Sequence, residues 1–581
     1  LRILAVDFDG TIAVDDKLDR DAAEAIREAR ASGLLVILVT GRTLEDLDGL
    51  LPETALFDAV VGENGAVLRF SGEPSPIARS LGPDPKLLAE LERRGVPYRR
   101  GSCVVETSAD AAPQVLGSIR GLELPLGISF NRGKLMVLPL GVTKGSGLNE
   151  ALWRLRASAH NAVAIGDGEN DHPLLEVCEF GAAVAWGSDS LRRIADHVIR
   201  GDGPRAVARY VRGLLPSRRI PLAPAPRRSL RLGTRDDGKP LDLALRGRNM
   251  LIGGDPKSGK SWVAGLVCEQ LILQRYSVCI LDPEGDYACL ESLPGAIVYP
   301  IDSDDAPLSG LERLLTHPDL SVVVDMSAAA PAAKAAVVRR VLELANRVRR
   351  KLGLPHRIVI DEAHYFLGRL DDPELFDREL GGHLLVTYRI ADLSADVLSA
   401  TDAVIVTQVA DQRQALALRG LAPPVGTTSE WLHSLASLAI DEALLLPGAP
   451  EAGDRMTRFR IAPRVTAHVR HRQKYCEIPV PPGREFVFTR TGRATGQRAH
   501  SLSELVSLVP RLPDDVFRGH LARGDFHRWV ERVFSDAELG DAIRRAERLE
   551  GQEAREALAR AIWDRYGEEE RGGTSLRRNV S

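Results

Sequence analysis

ILAVDFDGT, Ile3 to Thr11, runs four apolar residues straight into two carboxylates set two positions apart. Such a run reads as a buried parallel strand, and the carboxyl end of a parallel strand is where open α/β sheets carry their chemistry. A loop leaving that end can aim Asp7 and Asp9 into one crevice, with Gly10 permitting the sharp turn. Two later stretches follow the same plan. LLVILVTGR, Leu34 to Arg42, delivers Thr40, a hydroxyl suited to a phosphoryl oxygen, and AVAIGDGEND, Ala162 to Asp171, delivers Asp167 and Asp171. Four carboxylates in one cleft repel unless a hard cation such as Mg²⁺ shares them.

GENGA at Gly62 to Ala66 and VTKGSGL at Val142 to Leu148 complete an ordered set of motifs. Over about Leu1 to Arg212 the chain resembles the haloacid dehalogenase-like phosphatases of the Cof-type branch. That resemblance implies a Rossmann-like core in which Asp7 is the nucleophile that forms an aspartyl-phosphate. It makes Asp9 the acid that protonates the leaving oxygen and later activates water. It places Lys144 and Thr40 on the transferring phosphoryl group, and Asn64 and Asn170 on the substrate. Mg²⁺ would be held by Asp7, Asp167, Asp171 and the backbone carbonyl of Asp9. Residues 71–140 read as a mixed strand and helix insertion, a small α+β cap that looks shorter than usual and so suits a larger substrate.

A second phosphate signature stands at Gly254 to Ser261, GDPKSGKS, between a strand and an amphipathic helix. Gly254 and Gly259 let backbone N–H groups converge on a phosphate, Ser258 belongs to the same cradle, and Lys260 reaches the outer phosphates. Ser261 offers its hydroxyl to Mg²⁺ at the helix N-terminus. Asp255 is unusual inside such a loop and is expected to point outward. The partner strand is RIVIDEAHYF, where Asp361 can order the Mg²⁺ shell and Glu362 can polarise the attacking water. With DPEGDY at Asp282 to Tyr287 and LLVTYR at Leu384 to Arg389, residues 232–408 resemble the HerA and FtsK group of RecA-like ATPases. The resemblance implies ATP as ligand, a hexameric ring that moves DNA, and an arginine supplied by a neighbouring subunit. The chain departs from the group in two respects. Tyr388 stands where a glutamine sensor of the γ-phosphate is usual, and the phosphatase-like domain stands where a small barrel usually precedes the ATPase.

With 581 residues and 44% hydrophobic content, about three or four domains with real cores are expected. A formal net charge of −4 gives no global attraction to polyanions, so nucleic-acid contact must come from local patches. Arg339 to Gly353 reads most simply as a solvated basic helix face, whereas Arg455 to Tyr475 alternates arginines with apolar residues and suits either phosphates or an acidic partner. The six cysteines show no metal-binding spacing, no apolar run approaches the length of a membrane span, and the first strand begins near Leu1. A cytoplasmic protein without membrane contact is expected.

The expected architecture is an α/β multidomain chain: residues 1–212, a Pro/Arg-rich linker at 213–230, the P-loop ATPase with its basic extension at 231–478, a small, mainly α-helical domain at 479–566 and a disordered tail at 567–581. In the helical domain Trp529 and Phe534 read as core, and His520, Asp525 and His527 as packing or capping rather than metal ligands. Docking or assembly is its expected role. The expected function is a Mg²⁺-dependent phosphomonoesterase joined to an ATPase that forms a homo-oligomer and acts on DNA. Two alternatives stand beside it. One is a phosphatase of a small sugar or nucleotide phosphate gated by ATP, which Tyr388 favours. The other is a polynucleotide kinase and phosphatase, which DPEGDY and DEAH favour less.

Overall fold

The computed structural model describes residues 1–51, 56–131, 133–217, 219–221, 228–244, 248–368, 375–376, 381–422, 426–449, 451–453, 455–466, 480, 484–534 and 537–566. Most of the proline-rich linker, the basic stretch beyond Thr466 and the expected disordered tail lie outside the described residues. The chain forms two compact units, one of Leu1–Pro283 with Tyr287–Ala467, the other of Glu284–Asp286 with His468–Ser581.

The first unit holds two large sheets. The amino-terminal one has eight strands in the order His197–Ile199, Phe180–Val184, Ala162–Gly166, Ile3–Val6, Leu35–Val39, Ala59–Gly62, Val67–Phe70 and Ile77–Ala78. The first six run parallel; Val67–Phe70 runs antiparallel to them, and Ile77–Ala78 pairs antiparallel with it. Alternate residues of Ile3–Val6 serve opposite faces. Leu4 and Val6 pack with the helices Arg20–Ala31 and Gly203–Leu214, while Ile3 and Ala5 pack with Lys144–Arg154 and His172–Val177. The sheet is therefore covered on both sides. The strand carrying Asp7 lies between those carrying Thr40 and Asp167, at the point where the connections reverse direction, so the crevice opens there. The insertion gives its last core strand at Ile77–Ala78. It then forms a four-stranded antiparallel sheet, Leu126–Asn131, Lys134–Pro139, Val105–Ser108 and Arg99–Arg100, packed on the helices Pro85–Arg93 and Ala112–Gly121.

The second sheet has eleven strands. The strand Met250–Gly253, which feeds the phosphate loop, lies between Ala403–Val406 and His383–Thr387, and Arg357–Ile360 follows as the next neighbour. One strand thus separates the loop from Asp361 and Glu362, the arrangement of a RecA-like ATPase.

The two sheets meet at their inert ends. The side chain of Arg2 bonds the carbonyl of Arg350, Asn161 Nδ2 donates to Gly353 O at 3.0 Å, and His160 Nε2 lies 2.9 Å from Gln274 O, at the carboxyl end of the P-loop helix. His160 stacks on Tyr276 at 3.8 Å and pairs with buried Glu179 at 2.8 Å, which also accepts from the Tyr276 hydroxyl at 3.0 Å. These contacts precede the strands Ala162–Gly166 and Arg357–Ile360, whose far ends carry the acidic residues.

The second unit pairs the hairpin Phe486–Arg490 and Arg493–Ala499 with helices between Leu502 and Tyr566. Phe486, Phe488, Phe517, Phe526 and Trp529 form its core, with Phe534 partly buried against them. His520 accepts from Thr489 N at 2.9 Å and bonds Asp525 at 2.7 Å, and His527 bonds Glu547 at 2.5 Å. Both ring nitrogens of His520 are thereby used in packing. No described helix is long and apolar enough to cross a membrane.

Candidate active sites

Asp7 sits at the mouth of its strand with only 3% of its surface exposed. Lys144 Nζ donates to Asp7 Oδ1 at 2.6 Å and to Asp171 Oδ1 at 2.5 Å, and Thr11 Oγ1 donates to Asp7 Oδ2 at 3.2 Å. The second oxygen of Asp171 accepts from the backbone N–H groups of Asp167 and Gly168 at 3.0 and 2.9 Å. Asp7, Asp167 and Asp171 each offer an oxygen within 4.8 Å of the others. Among the described residues this is the one His, Cys, Asp or Glu group able to share a metal ion. Burial pushes Asp7 well above the usual carboxylate range; Asp171 and Asp167 raise it further and Lys144 opposes them. Burial acts against the charge of Lys144, yet Asp171 and Asp7 outweigh it and hold the ammonium above its ordinary value. One ammonium against three carboxylates leaves negative charge unmatched, so the donor set fits a hard divalent cation.

Close backbone approach explains the glycine motifs. A Cβ on Gly65 would stand 2.0 Å from Thr143 O, and one on Gly147 would stand 2.5 Å from Gly65 Cα. The turn of GENGA and the first turn of the helix Lys144–Arg154 therefore touch backbone to backbone, which sets Lys144 beside Asp7. Thr143 closes that helix with a capping box through Ser146. Thr40 is fully buried at the end of the adjacent strand, and Asn64 Oδ1 accepts from Asn170 Nδ2 at 3.1 Å. The cap approaches this rim: a Cβ on Gly41 would meet Met136 Sδ at 3.3 Å, and one on Gly168 would meet Asn131 Oδ1 at 3.2 Å.

At the second site, Gly254 has no room for a side chain, because a Cβ would stand 1.9 Å from Thr407 Oγ1. Ser258 Oγ bonds that hydroxyl at 2.5 Å, Gly259 takes a left-handed φ of 99°, and Lys260 Nζ donates to Asp255 O at 3.0 Å. Asp255 does not point outward as expected. Its half-buried carboxylate accepts from Ala410 N at 2.7 Å and ties the loop to the segment after Ala403–Val406. Ser261 lies in the first turn of the helix Lys260–Leu273. Asp361 and Glu362 are buried at the end of Arg357–Ile360, Asp361 Oδ1 accepts from Glu362 N at 2.9 Å, and Glu362 has a left-handed φ of 48°. Strained backbone of this kind clusters at functional sites.

A family profile described as haloacid dehalogenase-like hydrolase matches residues 4–79 and 123–211. The chain is 31% identical over 223 residues to a phosphoglycolate phosphatase of Methanothermobacter thermautotrophicus, covering 36% of this chain and 98% of that protein. It is 29% identical over 227 residues to a phosphoglycolate phosphatase of Methanopyrus kandleri, covering 37% and 97%. The amino-terminal part of this chain belongs to the haloacid dehalogenase-like hydrolases. A solved haloacid dehalogenase-like hydrolase from Bacteroides thetaiotaomicron is 16% identical, with a TM-score of 0.33 over 37% of this chain and 99% of that one. A second profile, Helicase HerA, central domain, matches residues 240–369. The chain thus joins a phosphatase domain of the haloacid dehalogenase superfamily to a HerA-type P-loop ATPase domain.

The geometry adds residues that sequence reasoning passed over. Arg42 grips Asp9 with Nε at 2.8 Å and Nη2 at 2.5 Å, and also reaches Asp16. Its position two residues after Thr40, at a strand end, was the available signal. Glu63 is fully buried and accepts from Ser102 N and Cys103 N at 2.7 and 2.8 Å, pinning the cap to the haloacid dehalogenase core. In the HerA-type domain, His364 Nδ1 lies 2.9 Å from Thr387 Oγ1 and 3.6 Å from Glu362 Oε2. Three described arginines of the basic extension are engaged within the domain: Arg458 pairs with Glu442, Arg460 with Asp441 at 3.2 Å, and buried Arg464 with Glu269 at 3.8 Å, while Arg455 is exposed. On Pro331–Leu352, Arg349 is buried, while Arg339, Arg347, Arg350 and Lys351 stay exposed.

Lys144→Ala is expected to leave Asp7 and Asp171 facing each other without their shared cation. Breaking a buried ion pair costs about 3–5 kcal/mol. A calorimetric scan of the metal-free protein should show the amino-terminal domain unfolding earlier, with phosphatase activity lost; an unshifted transition would contradict the pairing.

Proposed function

We propose that the amino-terminal domain hydrolyses a phosphomonoester through an aspartyl-phosphate and that the HerA-type domain hydrolyses ATP. The observation that carries the first half is the Asp7, Lys144, Asp171 and Asp167 cluster at the switch point of the sheet. Asp7 attacks the phosphorus with one carboxylate oxygen, Lys144 and Thr40 hold the transferring group, and the ester oxygen leaves with a proton from Asp9. Asp9 then takes a proton from water, which attacks the aspartyl-phosphate and releases inorganic phosphate. Arg42 holds the Asp9 carboxyl through Nε and Nη2, so the first half-reaction requires Asp9 to leave that fork to reach the ester oxygen. Asp7, Asp167, Asp171 and the carbonyl of Asp9 would hold Mg²⁺, which when bound offsets the charge of the carboxylates and the phosphoryl oxygens. Asn64 and Asn170 line the substrate side. The relatives' names make phosphoglycolate the first substrate to assay.

For the ATPase half, Lys260, Ser261, Gly254, Gly259 and Ser258 cradle the nucleotide, Asp361 would order its Mg²⁺ and Glu362 activates water. Our leading reading is a homo-oligomer, hexameric by analogy with its group, that acts on DNA in the cytoplasm. Exposed Arg339, Arg347, Arg350 and Lys351 are the described cations that favour it. A second reading, ATP-dependent control of the phosphatase, is favoured by the direct junction of His160 with the end of the P-loop helix. ATP turnover with and without single- and double-stranded DNA, run beside light scattering and phosphatase assays with and without a non-hydrolysable ATP analogue, separates them. DNA stimulation in a large oligomer supports the motor. A nucleotide effect on the phosphatase, without DNA stimulation, supports control.

A further inference from the structure

The strand His383–Thr387 lies between the P-loop strand and the strand that ends in Asp361 and Glu362, with Thr387 level with Gly253. Whatever side chain follows it emerges between the phosphate cradle and the acidic pair. That side chain is Tyr388. Its ring stands 5.8 Å from Lys260 Nζ, within the range of a cation–π contact, and meets the His364 ring edge-on at 4.7 Å. Tyr365, hydrogen-bonded to Tyr388, packs on His364 at 4.1 Å. Burial and that bond push the Tyr365 phenol up to about 12. Arg389 takes another position against the Tyr388 ring, at 5.3 Å.

The hydroxyl of Thr387 is committed elsewhere, accepting from Arg389 N at 3.0 Å and pairing with His364. The phenol of Tyr388 is therefore the polar group this strand presents to the gap where an outer phosphate of a bound nucleoside triphosphate belongs. We propose that Tyr388 contacts the γ-phosphate of ATP through its phenol, and that Tyr365 and His364 fix its orientation. The Lys260 ammonium bonds Asp255 O at 3.0 Å and stands 5.8 Å from the ring; when ATP enters, it moves to the phosphates and the phenol bonds a γ-phosphate oxygen. This assignment rests on the ATPase reading above, and the γ-phosphate is what distinguishes ATP from ADP at the site.

The test compares ATP and ADP affinity in the full chain for the wild type, Tyr388→Phe and Tyr388→Gln, together with ATP turnover. Tyr388→Phe keeps the ring and removes only the hydroxyl. A hydrogen bond to a charged oxygen is lost, so ATP should bind about tenfold more weakly while ADP affinity stays within about twofold, and turnover should fall. Tyr388→Gln restores a donor and should recover much of the preference for ATP over ADP. An unchanged ATP-to-ADP ratio in Tyr388→Phe overturns the assignment. Wild-type protein that binds ATP without hydrolysing it would overturn the ATPase reading alone, because the affinity ratio still tests the contact. Failure to bind either nucleotide would overturn both.

Discussion

Asp7→Asn should lose phosphatase activity by at least about a thousandfold while ATP turnover stays within about twofold of wild type. The substitution is isosteric, Lys144 retains an oxygen to bond and the Thr11 hydroxyl can accept from the new amide nitrogen, so the fold should hold. What disappears is the nucleophile, since a neutral amide oxygen attacks phosphorus poorly. The charge change also relieves repulsion from Asp171 and Asp167, so protein without metal should melt no earlier than wild type. Spared ATP hydrolysis follows from the architecture: the strands bearing Asp7 and Asp361 belong to different sheets that meet at their amino ends. Initial rates on phosphoglycolate and on a chromogenic aryl phosphate, measured beside ATP hydrolysis, decide it. Residual phosphatase above a tenth of wild type would remove Asp7 from the reaction, and loss of both activities would sink the two-site account.

Most of the candidate chemistry was legible in the sequence because it rides on local backbone geometry. Asp7, Asp9, Asp167 and Asp171 follow apolar strands in short motifs, and Gly254 to Ser261 must wrap a phosphate whatever surrounds it. What stayed hidden depends on partners distant in sequence. Arg42 on Asp9 spans 33 residues, Glu63 on Cys103 spans 40, and Arg464 on Glu269 spans 195 (464 minus 269). Alternating arginines at Arg458 and Arg460 look like a phosphate-binding face until Glu442 and Asp441 are seen opposite them. Asp255 misled for the same reason, since the N–H of Ala410 that stabilises its half-buried carboxylate lies on another loop.

The junction bears on how two hydrolases share one chain. His160, Glu179 and Tyr276 form a buried, mutually satisfied polar group, which gives directional contacts and resists sliding more than an apolar seam does. Both active sites lie at the opposite ends of the strands that leave this junction, so a product phosphate released at one site cannot pass directly to the other. That separation weighs against a kinase and phosphatase acting on one bound end. The P-loop helix, whose carboxyl end the His160 ring touches, is a direct route for coupling.

Glu362→Gln should bind ATP with wild-type affinity yet hydrolyse it at least about a hundredfold more slowly, the usual contribution of a positioned general base. Glutamine preserves the shape of Glu362 but cannot accept a proton from water. The buried setting sharpens the effect: Glu362 is 6% exposed, its backbone is left-handed, and His364 stands 3.6 Å from its carboxylate, so no bulk water substitutes readily for the lost base. Phosphatase activity without nucleotide should be unchanged. If the ATPase half controls the phosphatase, this variant should be held in the ATP-bound state, and adding ATP should change the phosphatase rate persistently rather than transiently. Turnover equal to wild type would remove Glu362 from the role of base, and loss of ATP binding would show that its part is structural.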